Sequence, residues 1–224
     1  MIVDANHPPP PSSLFPAEPG VSDVAAEQTR MRRDLHHEVT NSLQIIASLV
    51  ALEARDSDSA PVRRLHDIIQ AHIQTLTLAQ RWQFRGLAGA RVDLAGMLAE
   101  LSSALQARLG SARDDTVAVT CIAAALQLPP GLAIPVGFLI TELALLAGEL
   151  SPPGRLQLDV TASPAAAGIR LTVSTSAFAG SDAVAGSQTA AARIIRAMGQ
   201  QLGGKLQHDR LAGHYAIELP AMAG

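Results

Sequence analysis

The chain has 224 residues, of which 48% are hydrophobic and only 3% aromatic, so its core must be built mainly from Ala, Leu, Val and Ile. A net charge of -3 provides no basic field for DNA or RNA and argues against an anionic membrane surface. The lone cysteine, Cys121, rules out an intrachain disulfide and fits a reducing cytosol, so a cytoplasmic location is expected.

Residues 1–20, "MIVDANHPPPPSSLFPAEPG", are rich in proline and turn formers and read as a disordered tail. They lack the charged n-region and apolar h-region of a secretory signal. Ser22 is placed to cap a helix continuing to about Ala54, and "RDSDSAP" (55–61) is a short polar turn. Ser59 then caps a second helix with Pro61 in its first turn, ending near Phe84. Two long helices and a short loop predict an antiparallel helical hairpin over residues 21–86. "RGLAGAR" (85–91) reads as a linker.

Residues 91–224 have an α/β pattern. Asp93 caps a helix to about Leu109, and "TVAVTCIAAALQL" (116–128) reads as a strand or strand pair. "LAIPVGFLITELALLAGEL" (132–150) reads as a buried helix; Pro135 and Glu142 interrupt its apolar run, which is read as too short for a membrane span. "GRLQLDVTAS" and "GIRLTVSTSA" alternate like two antiparallel strands. "TAAARIIRAMGQQLGG" is an amphipathic helix closed by Gly203 and Gly204, and "KLQHDR" with "HYAIEL" forms a final hairpin. The predicted fold class is α+β: a helical hairpin followed by an α/β sandwich.

Candidate chemistry lies in "DLHHEVTNSLQIIASLV", residues 34–50. At ~100° per residue, Leu35, Val39, Leu43, Ile46 and Val50 share one side of the helix. Ile45, Leu49 and Leu52 form an adjoining stripe. Together they cover about half the circumference, more than one neighbouring helix buries. A lone hairpin supplies one neighbour; two hairpins dimerising into a four-helix bundle supply the rest. His37 lies opposite the apolar arc, on a polar stripe with Arg33, Asn41, Gln44 and Ser48, whereas His36 borders the core. A neutral imidazole keeps a free nitrogen lone pair and is a competent nucleophile. Glu38 beside it is the kind of orienting partner such a nucleophile needs.

Other readings stand beside this one. His37 can be a solvated surface histidine and His36 a packed one. "HEVTN" is close to the zinc motif H-E-x-x-H, but Asn41 replaces the second histidine and the site loses a ligand. His66 and His72 are six apart and share no helical face, and His208 and His214 flank a predicted turn and read as surface residues.

"DLHHEVTNSLQIIASLVALEAR" resembles the phosphoacceptor box of sensor histidine kinases, in the subfamily whose motif reads roughly H-H-R-V-K-N-N-L-Q-I-I-x-S-L-L. Alignment with that motif makes the second histidine, His37, the phosphorylated one, in agreement with the helical geometry. Glu38 replaces the motif's Arg and Thr40 its Lys, so that His37-Glu38-x-x-Asn41 is similar to the H-E-x-x-[TN] pattern of the larger kinase class. There the acid assists phosphotransfer, and the Thr or Asn assists dephosphorylation of the partner.

The segment 132–150 is similar to the kinase N-box, lGLilNELvtNAlkHA, but its two asparagines fall at Thr141 and Leu146, leaving only Glu142. A leucine cannot ligate Mg²⁺. Where the D-x-G-x-G box should follow the strand ending near Val173, "VSTSAFAG" has no Asp, and "AGSQTAAAR" has lost the glycine spacing of a phosphate loop.

The combination resembles dimeric histidine phosphotransferases with a degenerate ATPase-like domain. The resemblance implies a phosphorelay protein that passes a phosphoryl group between receiver-domain aspartates of response regulators through His37. Glu38 orients the imidazole, Asn41, Arg33 and Gln44 meet the receiver, and Ile45 and Leu49 add an apolar docking patch. It implies a homodimer, no ATP and no cofactor bound by this chain, with Mg²⁺ supplied by the receiver. Three rivals remain: a phosphatase using Asn41, an ATP-dependent kinase, and a non-catalytic scaffold that sequesters a receiver.

Overall fold

The computed structural model describes residues 59–89, 91–113, 116–166, 168–180 and 182–220. Ahead of these it describes Arg30, Val39, Ser42, Leu43, Ile45, Ile46, Ser48 and Leu49, all of them helical. The chain divides into two compact units, residues 1–38 and 39–224. Of the first, the described residue is Arg30, which is exposed.

In the second unit, helix α1 spans Ala60–Gly89. It opens at Ser59, whose carbonyl accepts from the Arg63 amide at 3.0 Å. It also runs through "RGLAG", which had read as a linker. Glycine disfavours a helix by about 1 kcal/mol relative to alanine. No proline interrupts this stretch, however, and the helix runs on to Gly89.

β1 (Val92–Asp93) follows directly and pairs antiparallel with β3 (Gln127–Leu128). Between them lie α2 (Leu94–Arg113) and β2 (Thr116–Ala123). Leu94, Leu98, Leu101, Leu105 and Leu109 recur at helical spacing on α2 and are all buried. α3 (Ala133–Leu150) follows a short 3₁₀ turn at Pro130–Leu132. β4 (Arg155–Ala165), β5 (Gly168–Ser174), α4 (Ala190–Gln201), β6 (Gln207–Asp209) and β7 (His214–Pro220) complete the order.

The main sheet has the order β2-β4-β5-β7-β6. β2 is parallel to β4, and every other pair is antiparallel. Strict alternation puts Leu156, Leu158 and Val160 of β4, Leu171 and Val173 of β5, and Tyr215, Ile217 and Leu219 of β7 on the helix-covered face. The opposite face is polar: Gln157 donates to Thr120 and Asp159, and Arg170 pairs with Glu218 at 3.1 Å. The Gln106 side chain accepts from the Val119 amide at 2.9 Å, shielding the free edge of β2. After α4, Gly203 adopts φ +71 at the predicted helix stop. A Cβ on Gly204 would stand 2.5 Å from the Glu218 carbonyl oxygen, so the chain returns to β7 only over a glycine.

The α+β expectation therefore agrees with the fold. The reading of the 132–150 run needs correction. By length and composition Pro130–Leu150 is apolar enough to cross a membrane, with a mean hydropathy of 1.9. Pro135 does not interrupt α3, because in the first turn of a helix its missing N–H has no intrahelical partner to lose. The apolar surface is spent on the core instead: Val136, Leu139, Ile140, Leu143 and Ala147 are all buried.

Candidate functional site

His36, His37, Glu38, Asn41, Arg33 and Gln44 lie outside the described residues. Ile45 and Leu49 are helical, and 61% and 57% exposed. Val39 and Ile46, from the main apolar arc, are exposed as well, so in the single chain these four residues of the arc stand uncovered.

The residues that match the N-box pattern are described, and they meet α1. Gly137 of α3 lets α1 in closely: a Cβ there would be 3.2 Å from Thr75 Cγ2 and 3.5 Å from Ala79 Cβ. Thr75 and Thr141, both buried, share a hydroxyl–hydroxyl hydrogen bond of 2.7 Å. Glu142 has a side chain only 3% exposed, and its carboxylate pairs with His72 Nε2. Burying a carboxylate without such a partner is strongly unfavourable. The His72 ring in turn leans on Phe138, with centroids 5.6 Å apart. Leu146 is buried, and its side chain has no oxygen to offer a cation.

The stretch after β5 is held at many points. Thr175 is buried, and its amide donates to the Gly213 carbonyl at 2.9 Å. Gly213 is required at that crossing: its φ is +63 and a Cβ would sit 2.7 Å from the Thr175 carbonyl oxygen. Asp182 accepts from the Val184 amide at 2.9 Å, the Ala185 amide at 3.0 Å and the Tyr215 hydroxyl at 2.8 Å. Burial alone would push its carboxyl up. The Ala185 amide, the Tyr215 hydroxyl, the Val184 amide and the nearby His208 outweigh that and hold it below the usual value. Burial, followed by the Asp182 hydrogen bond and charge, pushes the Tyr215 phenol well up, so it stays a donor.

His208 stacks on Tyr215 at 4.4 Å and packs its Nε2 against the Phe178 carbonyl at 2.8 Å. Its Nδ1 is 3.6 Å from Asp182, an ion-pair distance rather than a hydrogen bond. With a side chain only 4% exposed, His208 is not the surface residue its place beside a turn suggested. The hairpin folds back under Phe178 and buries the ring. Arg196 of α4 donates to the carbonyls of Val184 at 2.6 Å and Ser187 at 2.9 Å. Thr189 caps α4 by accepting from the Ala192 amide.

Among known proteins, the HisKA_2 histidine kinase family matches residues 34–109. The histidine kinase domain from Erythrobacter litoralis EL346 blue-light activated histidine kinase superposes with a TM-score of 0.59 at 21% identity, over 88% of this chain and 94% of that one. The fold is that of a histidine kinase domain. A second solved structure, the Erythrobacter litoralis EL346 blue-light activated histidine kinase, matches with a TM-score of 0.60 at 17% identity. It aligns over 84% of this chain, which spans 59% of that longer protein. No curated protein sequence matches the chain.

Within this histidine-kinase-like fold, sequence reasoning missed His72, Asp182, Arg196 and His208. Of these, only Asp182 had a local signal: an Asp two and three residues before amides that its carboxylate can accept from.

Proposed function

We propose that this protein is a histidine phosphotransferase of two-component signalling, passing a phosphoryl group between receiver-domain aspartates. One observation carries the reading: the phosphoacceptor-type box around His37 lies inside the segment that matches a histidine kinase family. In the first step an imidazole nitrogen of His37 attacks phosphorus in the donor's aspartyl phosphate. A P–N bond forms as the P–O bond breaks, and the donor carboxylate leaves. Glu38 orients the ring by accepting from its other N–H and offsets the positive charge that the ring gains on attack. Transfer to the acceptor aspartate reverses these steps. Such transfer is mostly positioning and charge stabilisation. Mg²⁺ belongs to the receiver in this scheme. Arg33, Asn41 and Gln44 meet the receiver's rim, and Ile45 with Leu49 offers it an apolar patch.

The residues of the C-terminal part do not fit a nucleotide. Thr141 and Leu146 stand at the asparagine positions, "VSTSAFAG" (173–180) has no Asp, and Glu142 is committed to His72. No step is therefore routed through ATP. Exposed Val39, Ile46, Val62 and Leu65 support a homodimer built around a four-helix bundle.

The test is to incubate the protein and its His37→Ala and His36→Ala variants with phosphorylated receiver domains. The parent and His36→Ala take up label that is acid-labile and base-stable, and His37→Ala takes up none. Uptake by His37→Ala alone would overturn the assignment. A parent that stays unlabelled while the receiver loses phosphate would mark a phosphatase. Calorimetry that finds a micromolar, Mg²⁺-dependent ATP site would restore the kinase reading.

A further inference from the structure

The contacts between α1 and α3 fall in antiparallel register. Arg64 meets Glu149 at 2.6 Å, His72 meets Glu142, Thr75 meets Thr141 at 2.7 Å, and Ala79 lies over Gly137. As one partner's number rises the other's falls by nearly the same amount, from Arg64 to Ala79. At 1.5 Å per residue that is a seam of roughly 22 Å. On its other flank α1 is tied to α2 in the same sense. Asp67 accepts from Arg108 at 3.3 Å, Glu100 pairs with Arg81 and accepts from Trp82 Nε1 at 2.7 Å, and Trp82 packs so closely over Gly96 that a Cβ there would be 2.7 Å from the ring. Ala71, Leu78 and Ala79 are buried beneath these polar pairs. Helix α1 runs unbroken to Gly89, and β1 begins at Val92.

We propose that α1, the second helix of the hairpin, is a fixed strut to which the α/β layer stays locked. The face of α3 bearing Thr141 and Glu142 is then a permanent structural seam and not a surface that opens during the reaction. Two features support a static joint. Every polar group named on the seam has its partner on the facing helix. Glu142, a carboxylate that would demand water or a cation if uncovered, is satisfied only while α1 is seated. The consequence, which rests on the phosphotransfer reading, is that receivers exchange phosphate with His37 while the α/β layer stays docked.

Two measurements separate the joint from the reaction. In a Cys121→Ser background, Thr75→Cys with Thr141→Cys places two thiols where hydroxyls now touch, within reach of a disulfide. Mild oxidation is expected to close the bridge within one chain. The bridged protein is then expected to accept phosphate from a phosphorylated receiver within about twofold of its reduced form. A bridge that forms but slows transfer more than about tenfold, with recovery on reduction, would overturn the static joint. If the reduced protein is labelled by no receiver, the phosphotransfer reading fails by itself, and hydrogen exchange on the unmodified protein judges the strut. The amides of Ile73–Ala79 are expected to exchange as slowly as those of Leu139–Leu146. Exchange of the α1 amides at least a hundredfold faster would show that the helix leaves its seat and would overturn the proposal.

Discussion

The two ends of α1 are built from similar residues and meet opposite fates. Near its start, Val62 and Leu65 are 44% and 57% exposed. About two to four turns later, Ala71, Leu78 and Ala79 are almost wholly buried. Polar contacts follow the same gradient. The Arg64–Glu149 pair stands in solvent, where such pairs contribute ~0–1 kcal/mol, whereas Thr75–Thr141 and His72–Glu142 are enclosed. An amphipathic stripe therefore says that a helix will bury a face but not which partner buries it. At the closed end the partner is this chain's own α2 and α3. At the open end the apolar residues are left for another molecule, in our reading a second copy.

The comparison can be broken most forcefully at the closed end. Leu78→Ala is expected to lower unfolding stability by about 2–5 kcal/mol in urea denaturation, the range for a truncated core leucine. A loss below about 1 kcal/mol would mean that α1 is not seated as described. Gly96→Ala drives a methyl to 2.7 Å from the Trp82 ring and from Asp93, and is expected to cost about 1–3 kcal/mol through overpacking. Near-silence of that change would show slack between α1 and α2.

The clamp around Asp182 provides a contrast, because it is held by polar atoms and not by a helix seam. Asp182→Asn is expected to cost about 1 kcal/mol at pH 7. The carboxyl is depressed in the folded state. Its stabilisation is therefore present above the unfolded value of ~4 and lost as pH falls through the lower folded value. The parent and Asp182→Asn should thus converge in urea midpoint below that range; a gap that stays constant down to pH ~2 would refute the linkage.

The smallest effect on the fold is expected at the open end. Val62→Glu with Leu65→Glu should change the stability of the separated chain by less than about 0.5 kcal/mol each, yet weaken self-association at least tenfold in light scattering. If those changes unfold the chain instead, the open end is not open.

Local order was legible wherever a period of two or 3.6 sufficed. The alternation in β4, β5 and β7, the leucine spacing of α2, the buried character of α3 and the glycine stop after α4 could all be read along the chain, because each depends on neighbours within a few residues. The likeness of residues 34–50 to a histidine kinase family was legible for the same reason, because that stretch is contiguous. Other features were not. The continuation of α1 through "RGLAG" was hidden by its two glycines, which disfavour a helix locally but did not end it. His72 looked unremarkable until it met Glu142, 70 residues away, and Thr75 until it met Thr141, 66 residues away. His208 read as a surface residue because it flanks a turn, and only the approach of Phe178 and Tyr215 enclosed it. Sequence by itself determined which segments are helix or strand and which face each one buries, since those follow from short-range periodicity. Tertiary structure decided which faces meet and hence which polar groups are paired, because that choice depends on close approaches, such as Thr75 against Gly137, between residues that are far apart in the chain.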